Sequence, residues 1–254
     1  MNPIYLIFFC LFSCTNIFIE DQKYNSLAFK GGSWIEFPVA DSMKIDRNDF
    51  TLQFWVSGGT IDTNEAPALF SFIDPEDNVK LALYRDPAIK NSITLNINSK
   101  ITRMIDLDIN WSKANDFHLI SILFSDQYGT KIFVNDFLKY QSDEKINILN
   151  NKFIVGALAN ENLTILENFW YGYIDEIRLW NTYLSDSTIT FHYNHPNKIG
   201  DYYKYTYYDS LIGLWRFNLA TPTVEIFDES NFNNNGEIYN LKGFSVKPSK
   251  IGAL

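Results

Sequence analysis

Residues 50–56 read FTLQFWV, and the alternation in that stretch decides the fold. Side chains along a strand point to opposite faces in turn, so Phe50, Leu52, Phe54 and Val56 share one face while Thr51, Gln53 and Trp55 take the other. The first set reads as a core face. Working outward, similar short runs lie between clusters of Asn, Asp, Gly and Pro: SLAF from Ser26, WIEF from Trp34, VKLALYR from Val79, ITLNIN from Ile93, ITRMIDL from Ile101 and FIVGA from Phe153. Their spacing is that of an antiparallel sandwich. LISILF, residues 119–124, is apolar nearly throughout and predicts a central strand covered on both sides. In TKIFVNDFLKYQ, residues 130–141, Asn135-Asp136 predicts a type I′ hairpin turn, because both residues tolerate left-handed backbone. The one clear helical signal runs from Ser185 to Asn194, capped by Ser185 or Asp186 and ended by Pro196.

With 46% hydrophobic and 17% aromatic residues in 254, the chain is too apolar and ring-rich for disorder and must bury a core. One large all-β domain accommodates that length. The formal net charge of −9 works against phosphate backbones, so nucleic acid is not an expected partner. The same acidity suits either a solvated surface or a site that collects a divalent cation.

The N-terminus differs in kind. IYLIFFCLFSC, residues 4–14, is apolar and too short to cross about 30 Å of hydrocarbon, so it reads as a signal-peptide core. Leu11-Phe12-Ser13-Cys14 resembles a bacterial lipoprotein signal, which makes Cys14 the expected lipidation site. Phe12 is bulkier than the usual residue there, and Met1 to Pro3 bring no Lys or Arg. Cys10 and Cys14 are the only cysteines, so no disulfide framework exists. The expected organisation is a signal peptide over 1–14, a linker over 15–23, one domain over 24–247 and a tail over 248–254. Export to the bacterial cell envelope, periplasm or cell surface, follows, with the membrane touched only through an N-terminal lipid anchor.

GYIDEIRLWN, residues 172–181, followed by TYLSDSTI, resembles the signature strand and turn of laminin-G-like jelly rolls of the concanavalin A-like lectin/glucanase superfamily. SLAFKGGSWIEF resembles the family's opening strand pair, FTLQFWV its second conserved strand, and KIFVNDFLKY its hairpin. LIGLWRFNLATPTVEIFDESNFNNNGEIYN resembles the segment that normally opens such a domain, yet here it comes last. Together these cover most of residues 24–245. The resemblance implies a two-sheet antiparallel jelly-roll sandwich with one short helix near the C-terminal third. Residues 209–245 are then either strands completing this domain or the vestige of a second repeat. Completion is favoured, since jelly-roll termini lie close together and an orphan strand with Leu214, Trp215 and Phe217 would leave a sticky edge.

No catalytic residue is expected. Enzymes resembling laminarinases need two carboxylates about 5 to 5.5 Å apart in one groove. Asp175-Glu176 is the nearest candidate, but neighbours on a strand point apart, and positions 177 and 178 are Ile and Arg. His118, His192 and His195 read as structural. Asp175 alone is expected on the inner face with Tyr173, Ile177 and Leu179, leaving Glu176 and Arg178 to pair outside. A buried carboxylate needs backbone donors, a basic partner or a hard cation. The resemblance suggests calcium, with Asp175, Asp228, Asn233 and Asn234 as ligands; the alternative is that Asp175 accepts backbone N–H bonds only. Asn231 and Asn233 stand where the family turn has glycine, and Phe232 where it has asparagine.

Trp34, Trp55 and Trp180 are the candidates for stacking on a ligand, each equally readable as a buried ring, while the tyrosine-rich stretch 201–210 reads first as rings packing a loop onto the sheet and second as a surface for sugar rings. The function implied is a non-catalytic module binding a glycan or an envelope or extracellular protein. The alternative is a structural subunit of an envelope assembly without a small ligand, and a glycoside hydrolase is the least favoured reading.

Overall fold

The alternating runs become strands. The protein is seen as a computed structural model that describes residues 24–46, 49–59, 66–76, 78–86, 89, 91–98, 100–104, 107, 109–114, 116–146, 148, 150–159, 166–199, 207–219, 221–249 and 251. The expected leader with Cys14, the linker and residues 201–206 lie outside the described residues. In chain order the strands are β1 (Asn25–Lys30), β2 (Trp34–Phe37), β3 (Asp49–Gly58), β4 (Ala68–Ile73), β5 (Val79–Arg85) and β6 (Ile93–Ile97). They continue with β7 (Lys100–Met104), β8 (His118–Ser125), β9 (Gly129–Val134), β10 (Phe137–Ser142), β11 (Lys152–Val155), β12 (Leu158–Ala159), β13 (Leu166–Glu167) and β14 (Tyr171–Trp180). The helix α1 (Asp186–Asn194) comes next, then β15 (Leu211–Arg216), β16 (Glu225–Ile226), β17 (Gly236–Tyr239) and β18 (Phe244–Pro248).

Two antiparallel sheets face each other. The first runs β10-β9-β8-β3-β14-β1-β18, with β15 also on β14; the second runs β16-β17-β2-β11-β4-β5-β6-β7. Phe50, Leu52, Phe54 and Val56 point between the sheets, as their spacing predicted, and are fully buried. Rings join the layers: Phe54 stacks on Phe70 at 5.2 Å, and Phe37 meets Trp215 at 4.5 Å. β8 is buried along its whole length, as expected of a central strand.

The opposite face of β3 is covered too. Ser185 caps α1 by accepting from the Thr188 N–H at 3.2 Å. The segment from Thr182 to Ile199 lies over the first sheet, where Leu184, Ile189 and Ile199 pack with Trp180, Leu123, Phe133 and Leu214. In the β9–β10 turn Asn135 is left-handed at φ 59 but Asp136 is not, so the turn is not the type I′ expected. Asn135 instead binds back to Leu119, donating its N–H to the carbonyl and accepting the Leu119 N–H on Oδ1.

β14 organises the first sheet. One side pairs with β3, while the other is shared by β1 along Tyr171–Ile174 and β15 along Glu176–Trp180. The C-terminal strands enter both layers: β15 pairs β14, β17 pairs β2, and β18 pairs β1. Gly31 and Gly32, at φ 84 and 70, turn the chain from β1 into β2 and so from one sheet to the other. The left-handed backbone at Gly31 strains any other residue, and a Cβ there would also lie 2.2 Å from the end of the Tyr171 ring, which would have to move.

Candidate functional site

The outer face of the second sheet carries a square of four side chains on β2 and β17. In WIEF, Ile35 and Phe37 enter the core, which turns Trp34 and Glu36 outward; in GEIY, Ile238 points in and Glu237 and Tyr239 point out. The antiparallel register sets Tyr239 opposite Trp34 and Glu237 opposite Glu36. The two rings lie parallel, 5.1 Å apart with a 3° interplanar angle. Both stay partly exposed.

Each ring also holds a carboxylate. Trp34 Nε1 donates to Glu36 Oε1 at 3.0 Å, and the Tyr239 hydroxyl donates to Glu237 Oε2 at 2.9 Å. Neither glutamate has a basic partner among the described residues. The hydrogen bond to Glu237, and then the Glu36 charge, hold the Tyr239 hydroxyl above its usual pKa. Phe169 forms a wall 6.1 Å from Trp34, and Ile154, Ile73 and Ala157 form the floor beneath both. The rim is fixed by Asn240, whose Nδ2 donates to the Gly32 carbonyl at 2.7 Å while its own carbonyl accepts from Ser33 Oγ at 2.9 Å. The partly exposed parts of this stacked ring pair, beside two acceptor groups, can meet a polyol with one apolar face.

Of the three candidate tryptophans only Trp34 is available to a ligand. Trp55 and Trp180 are 2% and 1% exposed because the segment carrying α1 covers their face of the sheet. Trp55 stacks on Tyr193 at 6.2 Å, and Trp180 stacks on His192 at 5.4 Å while donating to Gln53 Oε1. Sequence reasoning missed Tyr239, Glu36, Glu237 and Phe169. The outward positions of WIEF and GEIY were readable, but the pairing that brings residues 34 and 239 together was not.

The expected calcium ligands do not form one oxygen cage. Asp228 accepts four hydrogen bonds: from the Leu214 and Ser230 N–H groups at 2.8 Å each, from Ser230 Oγ at 2.7 Å and from the Asn234 N–H at 2.9 Å. Donors fill the Asp228 lone pairs that a cation would need, so Asp228 does not fit calcium as arranged. Asn234 points its Nδ2 at the Ile212 and Met43 carbonyls, and its own carbonyl accepts from Trp215 Nε1. Asn233 is exposed and left-handed at φ 57, serving the turn. Among the described residues no group of three or more His, Cys, Asp or Glu could hold a metal.

Asp175 is buried, but not on the inner face. A register shift between Ile174 and Ile177 sends both isoleucines, and Leu179, into the core, so strict alternation fails at Asp175 and Glu176. Asp175 Oδ2 accepts from Ser249 Oγ, and Oδ1 has no partner among the described residues. Burial pushes its pKa up to about 8, against the Ser249 hydrogen bond; Glu176 raises it further and Arg178 lowers it. Glu176 and Arg178 do pair, both fully buried, and Arg178 reaches the Pro196 carbonyl at 2.9 Å. The three histidines are built into the scaffold: His118 at the start of β8, His192 between Gln53 and the Ile199 carbonyl, and His195 at the helix end.

Comparison with known proteins follows from this geometry. No curated protein matches the chain. A solved structure described as “a putative carbohydrate binding protein from Bacteroides ovatus ATCC 8483” superimposes with a TM-score of 0.61 at 12% identity, covering 91% of this chain. This chain spans 62% of that one. A heptameric SAP-like pentraxin from Limulus polyphemus gives a TM-score of 0.51 at 12% identity, over 68% of this chain and 83% of the pentraxin. At these identities the likeness is one of fold. The laminin G family model matches residues 29–190, more than half the chain, and with two antiparallel layers in place the protein belongs to the concanavalin A-like lectin/glucanases superfamily.

Proposed function

We propose that this protein is a non-catalytic carbohydrate-binding module that seats sugar rings on the Trp34–Tyr239 face of its second sheet. The observation that carries the reading is the partly exposed stacked ring pair beside two carboxylates that have no basic partner among the described residues. The description of the Bacteroides ovatus neighbour as carbohydrate binding supports it. That description names binding and no hydrolysis, which favours binding over cleavage.

A glycan array followed by calorimetric titration tests this. Trp34→Ala and Tyr239→Ala should each weaken binding about tenfold, since one stacked ring contributes on the order of 1 kcal/mol. Unchanged affinity in both variants, or release of reducing ends from any bound glycan, would overturn the proposal. Export and a lipid anchor on Cys14 rest on residues 4–14; palmitate labelling that Cys14→Ala abolishes supports them, and equal labelling removes the anchor.

A second reading, a structural interaction subunit, is favoured by one patch. The two-residue edge strand β16 is flanked by Val224 and Phe227, 70% and 61% exposed, with Phe232 at 39% in the following turn. Capture of an envelope protein lost in Phe227→Ser, with no glycan bound, would favour that reading.

A further inference from the structure

Resting on that assignment of the site, we infer that the preferred ligand is a sugar carrying a free amino group, its apolar face packed against the partly exposed Trp34–Tyr239 pair and its ammonium group between Glu36 and Glu237. Two like charges directly opposite on adjacent strands, with Cβ atoms about 5 Å apart, repel each other. A sheet face tolerates such a pair at a cost in stability unless a cation joins it. No Lys, Arg or His among the described residues makes an ion pair with either carboxylate.

The hydrogen bonds point the same way. The ring donors occupy only Glu36 Oε1 and Glu237 Oε2, which leaves the second oxygen of each free to accept. An ammonium group has three donors and no acceptor, and so matches two acceptors carried at opposite positions of adjacent strands. A neutral sugar could offer hydroxyl donors but would leave both negative charges uncompensated. A sialic or uronic acid would add a third negative charge, and the site should reject it. The partly exposed Trp34–Tyr239 pair, flanked by Phe169, then packs against the apolar face of the sugar.

The full chain is titrated at pH about 6 with a glucosamine tetramer, its N-acetylated counterpart, a neutral glucose tetramer and sialyllactose, with and without calcium. The glucosamine tetramer should bind about tenfold tighter than the acetylated one, as charge-assisted hydrogen bonds imply. The gap should close in high salt and in the Glu36→Gln/Glu237→Gln double variant, whose melting temperature confirms that it folds. Equal binding of the amino and acetylated tetramers, with Trp34→Ala weakening both, would overturn the charge selection and leave the ring platform standing. Calcium raising affinity for the neutral tetramer would also overturn it, because the compensating cation would then be an ion. If Trp34→Ala changes no affinity, the platform itself fails and this inference with it.

Discussion

Ser249, just past β18, donates its hydroxyl to the carboxylate of Asp175, at the point on β14 where the neighbour changes from β1 to β15. The backbone marks the same seam. The Asp175 carbonyl accepts from the Phe217 N–H at 3.2 Å, and the Ser249 N–H donates to the Tyr24 carbonyl at 2.8 Å. Thus one buried acid touches the chain just beyond two different strands.

That acid should make stability fall as pH rises. Its folded pKa of about 8 lies above the unfolded carboxylate value near 4, so the native state holds the extra proton between the two. Its contribution is complete below pH about 4 and is lost as pH climbs to about 8. Over that window the loss is on the order of a few kcal/mol, at about 1.4 per pKa unit. Asp175→Asn, which cannot ionise, should melt higher than the parent above pH about 8 and lack this decline. Thermal melts from pH 4 to 9 check it; a variant that keeps the full decline would clear Asp175.

Asp228 should behave as a clamp on the turn after β16. Removing its side chain in Asp228→Ala leaves the Leu214, Ser230 and Asn234 N–H groups without their acceptor, costing about 2–4 kcal/mol. Asp228→Asn should lose less, since one oxygen remains. Because donors already fill the carboxylate, calcium or a chelator should leave the melting temperature of the parent unchanged. A calcium-dependent rise that disappears in Asp228→Asn would restore the metal site.

Strands were legible because their signal is local: period-two alternation in FTLQFWV and VKLALYR needs no knowledge of the rest of the chain. Trp55 and Trp180 stood open between stacking and burial because alternation assigns a face without saying what covers it. The cover, Thr182 to Ile199, is a weakly amphipathic segment whose docking shows only in three dimensions, for example where Leu184 N–H donates to Thr51 Oγ1. Asp175 was misplaced because a β-bulge leaves no mark in hydrophobic periodicity. Tyr239 escaped notice because its partner Trp34 lies some 200 residues earlier, and long-range register cannot be read from either strand alone.

Arg85 is a further case, since a terminal arginine on VKLALYR would ordinarily reach solvent. Instead it is 6% exposed, with its guanidinium 5.0 Å from the Trp111 ring and 5.6 Å from Trp170. Nη1 donates to the Gly59 and Tyr171 carbonyls, both at 3.2 Å. Burial pushes its pKa down to about 10, so it remains charged at neutral pH. Arg85→Lys keeps the charge but loses the planar fork that stacks between rings and bridges two carbonyls. Chemical denaturation should show a loss of about 1–3 kcal/mol. A lysine variant as stable as the parent would mean that charge alone matters there.

The heaviest demand falls on the C-terminal strands. Trp215 is fully buried against Phe37, and its Nε1 donates to the Asn234 carbonyl at 2.8 Å, so β15 is tied at once to the facing sheet and to the turn before β17. Trp215→Ala opens a cavity and strands that carbonyl, which should cost about 3–5 kcal/mol. Removing residues 209–254 goes further. It strips β15 from β14, β17 from β2 and β18 from β1, exposing backbone on both sheets together with the core-facing side of Phe37 and Ile177. If this segment completes the domain, the truncated chain should lose its cooperative melt and its near-ultraviolet circular dichroism. If it is a leftover of another repeat, the melt should persist near the parent temperature, and the exposed edges of β2 and β14 would have to be tolerated in water despite their unpaired N–H and C=O groups.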